Sequence, residues 1–406
     1  MQKFRFILFI IIPLAIGGCK KTDMPETEFV TNLVSDTSMA AVSAFETDDH
    51  GIIVVGRSFD NLTLGSIYKV NAYGDEVWRK KLSKYNLFLW KGIQTSDKGF
   101  ITVGYPELFN PAMYICKYNQ DGVLLKTAID TLPENSSQFS YADFKELSNG
   151  NFMFCLTSVV MGYSFVIVTD PSLNILSSRK YESHSTLYFG CFIRGIQESE
   201  NNTIAITAST SGYKTSTLYT NLVLIKTDNT GKELSRTNLI DSTYSEMPTS
   251  LNRNNNELFA ITSKMIGWNS GKGLFVDYLA NPNAQFISGE IQLVRFDHQG
   301  NYLGRKTYNG YPGNGIINSV HKTLDGGFLL CGTVNQNNYQ TVAANTQIYV
   351  MKLNANYQTE WSKSFNTTYP SLGIEALPLS NGGYCLIGHQ KTFNDKFNII
   401  LIKSNF

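Results

Sequence analysis

Ile316-Ile317-Asn318-Ser319-Val320-His321-Lys322, a turn at Asp325-Gly326-Gly327, then Phe328-Leu329-Leu330-Cys331-Gly332 opens the stretch whose reading decides the fold. After a polar loop it continues as Ile348-Tyr349-Val350-Met351-Lys352, turns at Asn354-Ala355-Asn356 and ends in Glu360-Trp361-Ser362-Lys363-Ser364-Phe365. Four short β-type runs joined by turn residues make one four-stranded antiparallel sheet.

The rest of the chain repeats that sheet. Its second strand begins from the turns Asp49-His50-Gly51, Asp97-Lys98-Gly99, Asn149-Gly150-Asn151, Asn201-Asn202-Thr203, Asn255-Asn256-Glu257, Asp325-Gly326-Gly327 and Asn381-Gly382-Gly383. Asn, Asp and Gly recur because tight hairpins need residues that tolerate positive φ. The third strand ends in a basic residue, one spacer and Asn or Asp, as in Lys69-Val70-Asn71, Lys117-Tyr118-Asn119, Lys226-Thr227-Asp228 and Arg295-Phe296-Asp297. This basic column reads as solvated strand-end residues beside a turn.

The seventh copy stops after its third strand, at Phe406. At the other end Thr27-Glu28-Phe29 matches Thr359-Glu360-Trp361, and Leu33 follows Phe29 at the spacing at which Phe365 follows Trp361. The N-terminal segment therefore completes the last sheet, which removes the open edges a linear array would leave. The expected fold is all-β: a seven-bladed β-propeller of four-stranded antiparallel blades over residues 27–406, its ring closed by an N-terminal strand.

Length alone, at 406 residues, favours two or three domains, and the internal repeat overrides it. A net charge of +1 with 17% charged residues leaves no electrostatic footprint for nucleic acid. Residues 1–18 read as a signal peptide, with Lys3 and Arg5 before the apolar stretch Phe6 to Ile16. Ile16-Gly17-Gly18-Cys19 resembles the bacterial lipobox, which implies lipidation (palmitate) at Cys19 and a tether over residues 19–26. Lys20 rather than Asp after the Cys implies the outer membrane, with the lipid as the chain's one membrane contact. The five remaining cysteines, an odd number with no C-x-x-C pair, read as structural.

The repeat resembles those of seven-bladed propeller lipoproteins of Gram-negative bacteria and, more distantly, quinoprotein and kelch repeats. The quinoprotein pattern sets Gly, three residues and Trp after the third strand; Gly74 with Trp78 fits, and Trp361 fits with Tyr357 in the Gly position. Lys126, Ser177, Ser235 and Gly304 stand where Trp belongs elsewhere, so no quinone or other cofactor is expected.

Three motifs for chemistry fail on spacing. Thr95, Asp97 and Gly99, like Thr323, Asp325 and Gly327, imitate the start of sialidase-type turns, but no Trp follows and they lie between strands one and two. They read as hairpin chemistry. No turn carries the oxygen-ligand spacing of a calcium loop, so no metal is expected. The five histidines are scattered and no G-x-S-x-G elbow marks a nucleophile, so no catalytic residue is assigned.

Loop lengths carry more. Connections from strand two to three are long and dissimilar (57–64, 209–220, 264–289, 333–347), whereas those from one to two and three to four are tight. In a propeller the long loops share one face with the blade-to-blade crossovers, and function in repeat folds collects where insertions do. Trp268 leads the candidate ligand-binding residues, with Tyr278, Tyr213, Tyr339 and Trp90; Tyr105, Phe109, Tyr163, Tyr369 and Phe393 share that face. The expectation is a monomeric, non-catalytic envelope binding or scaffold module whose ligand is a glycan or a partner protein. Its rival is a glycan-degrading hydrolase or lyase with carboxylates in the central funnel.

Overall fold

The computed structural model describes residues 28–404 except 59–64, 83–87, 106–111, 132–138, 159–161, 184–187, 215–216, 240–244, 266–287, 309–314, 336–345 and 395. Among the described residues, strands β1 to β28 form seven separate four-stranded antiparallel sheets, and there is no helix. The first blade is Met39–Glu46 (β2), Ile52–Ser58 (β3), Gly65–Val70 (β4) and Glu76–Lys81 (β5), paired in that order. The first strands of the next six are Phe88–Gln94 (β6), Phe139–Glu146 (β10), Tyr188–Glu198 (β14), Ser245–Asn254 (β18), Gly315–Lys322 (β22) and Ser371–Pro378 (β26). Each packs against the first strand of the blade before and after it, including β26 against β2, so the seven sheets close a ring around a channel.

The seventh sheet has the order β1-β28-β27-β26, with Phe29–Leu33 (β1) paired to Phe397–Ser404 (β28), which pairs to Tyr384–Lys391 (β27). Phe29 stands opposite Lys403 as Trp361 stands opposite Lys352 and Trp78 opposite Lys69. The N-terminal segment is therefore the missing fourth strand, in the register its sequence match implies.

Sheets stacked around a ring are covered on both faces, which is why the second and third strands read as unbroken apolar runs. Alternate residues serve opposite neighbours. In the third blade Phe152, Phe154 and Phe165 pack on Ile101, Val103 and Ile115 of the second, whereas Met153, Cys155 and Val166 pack on Ile204, Ile206 and Val223 of the fourth. Outer strands are exposed over most of their length, and Val77, Leu125, Leu176, Leu234 and Leu303 reach solvent there, while Leu33, Tyr181 and Tyr308 at strand ends are buried. All five cysteines after Cys19 are buried and unbridged.

Second strands often end in Gly for a steric reason. Most first strands carry a β-bulge, between Ile317 and Ser319 or between Gly373 and Glu375 for instance. It pushes a carbonyl into the neighbour: a Cβ on Gly332 would lie 1.9 Å from the Ile316 oxygen, and one on Gly388 2.2 Å from that of Leu372.

Candidate functional site

One face of the ring is made of the tight turns, and it is tied blade to blade. Ser96 donates its N–H and hydroxyl to Glu146, Ser148 its N–H to Glu198, and Ser380 both groups to Glu46, this last across the closure. At the outer edge blades reach the next turn: Thr31 Oγ1 donates to the Gly74 carbonyl at 2.7 Å, Lys80 to that of Asp121 at 2.8 Å, and Thr237 to that of Gly300 at 2.8 Å. The aromatic side chains in the Trp column dock the same way. Trp78 lies against Gly122 of the following blade, where φ is +69° and a Cβ would fall 2.7 Å from the ring, and Phe29 lies against Gly74.

The basic column corrects its sequence reading. Lys69, Lys352 and Lys403 are buried, at 6%, 7% and 4% exposure. Lys69 Nζ lies 2.6 Å from Asp49, Lys117 2.8 Å from Asp97, and Lys352 2.7 Å from Asp325 and 2.9 Å from Glu360. The same carboxylates accept from Thr47, Thr95 and Thr323 and from the N–H groups of Gly51, Gly99 and Gly327, on the lysine's own oxygen in Asp49 and on the other oxygen in Asp97 and Asp325. These Thr-x-Asp-x-Gly turns are thus lysine-locked hairpins. Hydrogen bonds from Lys352 and Thr323 hold Asp325 down at about 2. A strand-end lysine beside a turn carboxylate lays its stem on apolar neighbours and keeps its head paired, which a pattern of letters does not distinguish from solvation. His298 on the same face is 4% exposed, with Nδ1 3.1 Å from Ser199 Oγ and Nε2 3.2 Å from the Asn255 carbonyl.

On the opposite, elaborated face, Trp268, Tyr278 and Tyr339 lie outside the described residues; Tyr213 lies on a strand (Ile204–Lys214), its side chain likewise outside them. Trp90 is described, and it is half-buried rather than presented. It packs on the cluster shared by the second and third blades, its ring 5.9 Å from Tyr105 and 5.0 Å beneath the Arg57 guanidinium. Tyr105 and Tyr163 are buried as well, and burial raises Tyr105 to about 12. Among the described residues two aromatics of this face reach solvent, both in the seventh blade: Phe393 is 86% and Tyr369 39% exposed. The backbone beside them is hydrogen-bonded. Lys391 N–H donates to the Pro370 carbonyl at 2.9 Å, and Gln390 donates to that of Tyr369 at 3.3 Å.

The channel wall is the third surface. A first strand is flanked by its neighbours, so solvent reaches its side chains from the channel. Lys91, Asp143 and Glu375 stand at one level, each opposite the fourth residue of its second strand; Ser43, Ser250 and Ser319 hold that level elsewhere and Gly195 in the fourth blade. Lys145, Gln197, Asn252 and His321 stand two residues further along. Lys91 is ion-paired to Asp143, Lys145 donates to Gln197 Oε1 at 2.8 Å, and His321 Nε2 lies 2.6 Å from Glu375. Lys91 and His321 keep 31% and 34% of their side chains exposed. Burial pushes the Lys145 ammonium down, against the opposing pull of Asp143 and Glu198. Among the described residues no group of three or more His, Cys, Asp or Glu could hold a metal ion.

No protein-family model and no curated protein match the chain. Solved structures do. The polysaccharide lyase Uly1 aligns with a TM-score of 0.56 at 8% identity, over 94% of this chain and 100% of that one. A protein of unknown function from Dyadobacter fermentans aligns with a TM-score of 0.51 at 11% identity, over 93% and 98%. Sqt1 of Chaetomium thermophilum, solved bound to the N-terminus of ribosomal protein L10, aligns with a TM-score of 0.50 at 10% identity, over 93% and 99%. At such identities the likeness is one of fold, a propeller shared by a glycan-active enzyme and a peptide-binding protein.

Proposed function

We propose that this propeller is a monomeric binding module of the bacterial outer membrane, anchored by lipid on Cys19, that takes a glycan on the face bearing the long strand 2–3 loops. The observation that carries the reading is the corner of the seventh blade. An aromatic side chain left 86% exposed on a hydrogen-bonded corner has no packing role and a full ring face to offer. Asn366, Asn394 and Asn398 flank the two rings in sequence with uncharged amides, and aromatic faces beside amides suit the apolar faces and hydroxyls of a sugar. The rival reading, a hydrolase or lyase using funnel carboxylates, has Asp143 and Glu375 as its candidates. Asp143 is ion-paired to Lys91 and Glu375 is bonded to the His321 ring, whereas a general acid needs a carboxyl kept protonated by an apolar setting.

The test is a glycan array with calorimetry on its hits. Phe393→Ala with Tyr369→Ala, and separately Trp268→Ala with Tyr278→Ala, should each weaken binding at an unchanged melting temperature, since such anchors often contribute about 2 kcal/mol or more. His50→Ala, on the turn face, should leave it unchanged. Binding lost with His50→Ala but kept by both aromatic pairs assigns the wrong face; a silent array beside a specific envelope-protein partner replaces the glycan with a protein. Cys19→Ala should move the folded protein from the membrane to the soluble fraction, and an unchanged distribution without fatty-acid incorporation removes the anchor.

A further inference from the structure

The channel wall is uneven in a way the corner aromatics do not explain. Lysines from two consecutive first strands line the wall of the second and third blades, Lys91 at the level of Asp143 and Lys145 two residues further along, and the Lys91 charge helps to push Lys145 down. Going round from there, the fourth and fifth blades offer amides and a hydroxyl, in Gln197, Asn252 and Ser250. A ring that needed only to be stapled could use apolar contacts here, as Phe45, Ile93 and Leu377 do at the level of Lys145 in the first, second and seventh blades. Two half-buried ammonium groups close together cost desolvation and mutual repulsion, which Asp143 offsets in part. Lys91 nevertheless keeps about a third of its side chain open to the channel.

We propose that this wall is a binding site for an anionic oxyacid group, a carboxylate or sulfate, carried on a saccharide that enters the channel. Lys91 and Lys145 would hold the anion, and Gln197, Asn252 and Ser250 would bond neighbouring hydroxyls. A desolvated ammonium gains more from an incoming anion than an exposed one does, because water competes less for both. The proposal deepens the glycan reading by naming an acidic sugar, and it uses residues independent of the corner aromatics.

The probes are a chondroitin sulfate tetrasaccharide, cellotetraose as its neutral counterpart, and sodium sulfate, titrated calorimetrically into the full folded chain. Lys145→Gln keeps an amide to meet Gln197. Lys91→Gln combined with Asp143→Asn removes the pair without stranding a charge. Each variant should weaken the acidic tetrasaccharide about tenfold or more, as loss of one charge-assisted contact implies, and leave melting within a few degrees of wild type. Phe393→Ala with Tyr369→Ala serves as the control for the face reading. Loss of tetrasaccharide binding in the channel variants supports the site, whether or not the corner pair also matters. Equal affinity in wild type and both channel variants overturns it, even if the corner pair abolishes binding and so upholds the face reading. Binding of sulfate alone overturns the saccharide and leaves a simple anion site. Equal binding of cellotetraose and the acidic probe overturns the anion.

Discussion

Leu33 is the residue on which closure of the ring can be measured most cleanly. It is 1% exposed, stands opposite Ile399 and packs with Met39, Ile399 and Leu401, so it joins the two ends of the chain and the first blade in one cluster. Leu33→Ala removes three carbons from a site that cannot collapse, because the strands around it are fixed by neighbouring blades. Substitutions of this kind cost about 3 kcal/mol. At about 2.1 cal/mol/K per residue, the unfolding entropy of a chain of 406 residues is about 0.85 kcal/mol/K, so the melting temperature should fall by about 3.5 °C if unfolding is cooperative. Val30 supplies the control in the same strand: it is 63% exposed, and Val30→Ala should shift melting by less than about 0.5 °C. Differential scanning calorimetry on both variants gives the comparison, and a truncation through Leu33 should exceed either, because it strips the edge of β28 as well. Equal shifts for Leu33→Ala and Val30→Ala would refute the closure argument.

Three further outcomes follow from the packing. His389 is buried and held at about 3 against an ordinary 6.5, chiefly by burial and then by Arg57. The unfolded chain therefore takes up its proton first, and stability should fall as pH drops from about 6.5 toward 3. That amounts to about 1.4 kcal/mol between pH 7.5 and 5.5, a slope that His389→Leu should remove from urea midpoints taken across that range. Gly122→Ala should cost more than the usual Gly→Ala change at a turn, about 2 kcal/mol, since it meets both a φ of +69° and the Trp78 ring; Trp78→Ala in the same chain should recover part of that loss. Glu46→Ala should cost more than Glu76→Ala in thermal unfolding, because Glu46 accepts both Ser380 bonds from the adjoining seventh blade while Glu76 accepts from Arg79 of its own strand.

How much of this was legible in the sequence depends on the range of each interaction. The seven copies and the turns are local, and the register of Phe29 followed from one matched triplet, so the fold could be read directly. The lysine column was legible as a column but not as a set of locks, because Asp49 and Lys69 meet only when the hairpin is built. The channel wall was hidden for a different reason. A bulge inserts an extra residue into most first strands, at Trp90 or Ile374 for example, so that Lys91, Asp143 and Glu375 fall at one level only after the insertions are counted. Trp90 was singled out for its size and position; the same bulge turns it onto the blade core beneath Arg57. Tyr369 and Phe393 looked no different from the buried Tyr105 and Tyr163, since exposure is decided by what lies across the corner.

The direction of β1 has a mechanical consequence. Fourth strands run from the tight-turn face toward the elaborated face, so the chain upstream of Phe29 departs from the tight-turn side. Any tension on that segment pulls along the axis of β1, and its five residue pairs, from Phe29 with Lys403 to Leu33 with Ile399, are strained together in shear rather than peeled one after another. Shear spreads force over every hydrogen bond of the pairing at once. A pull applied there would therefore load the clasp in its strongest direction.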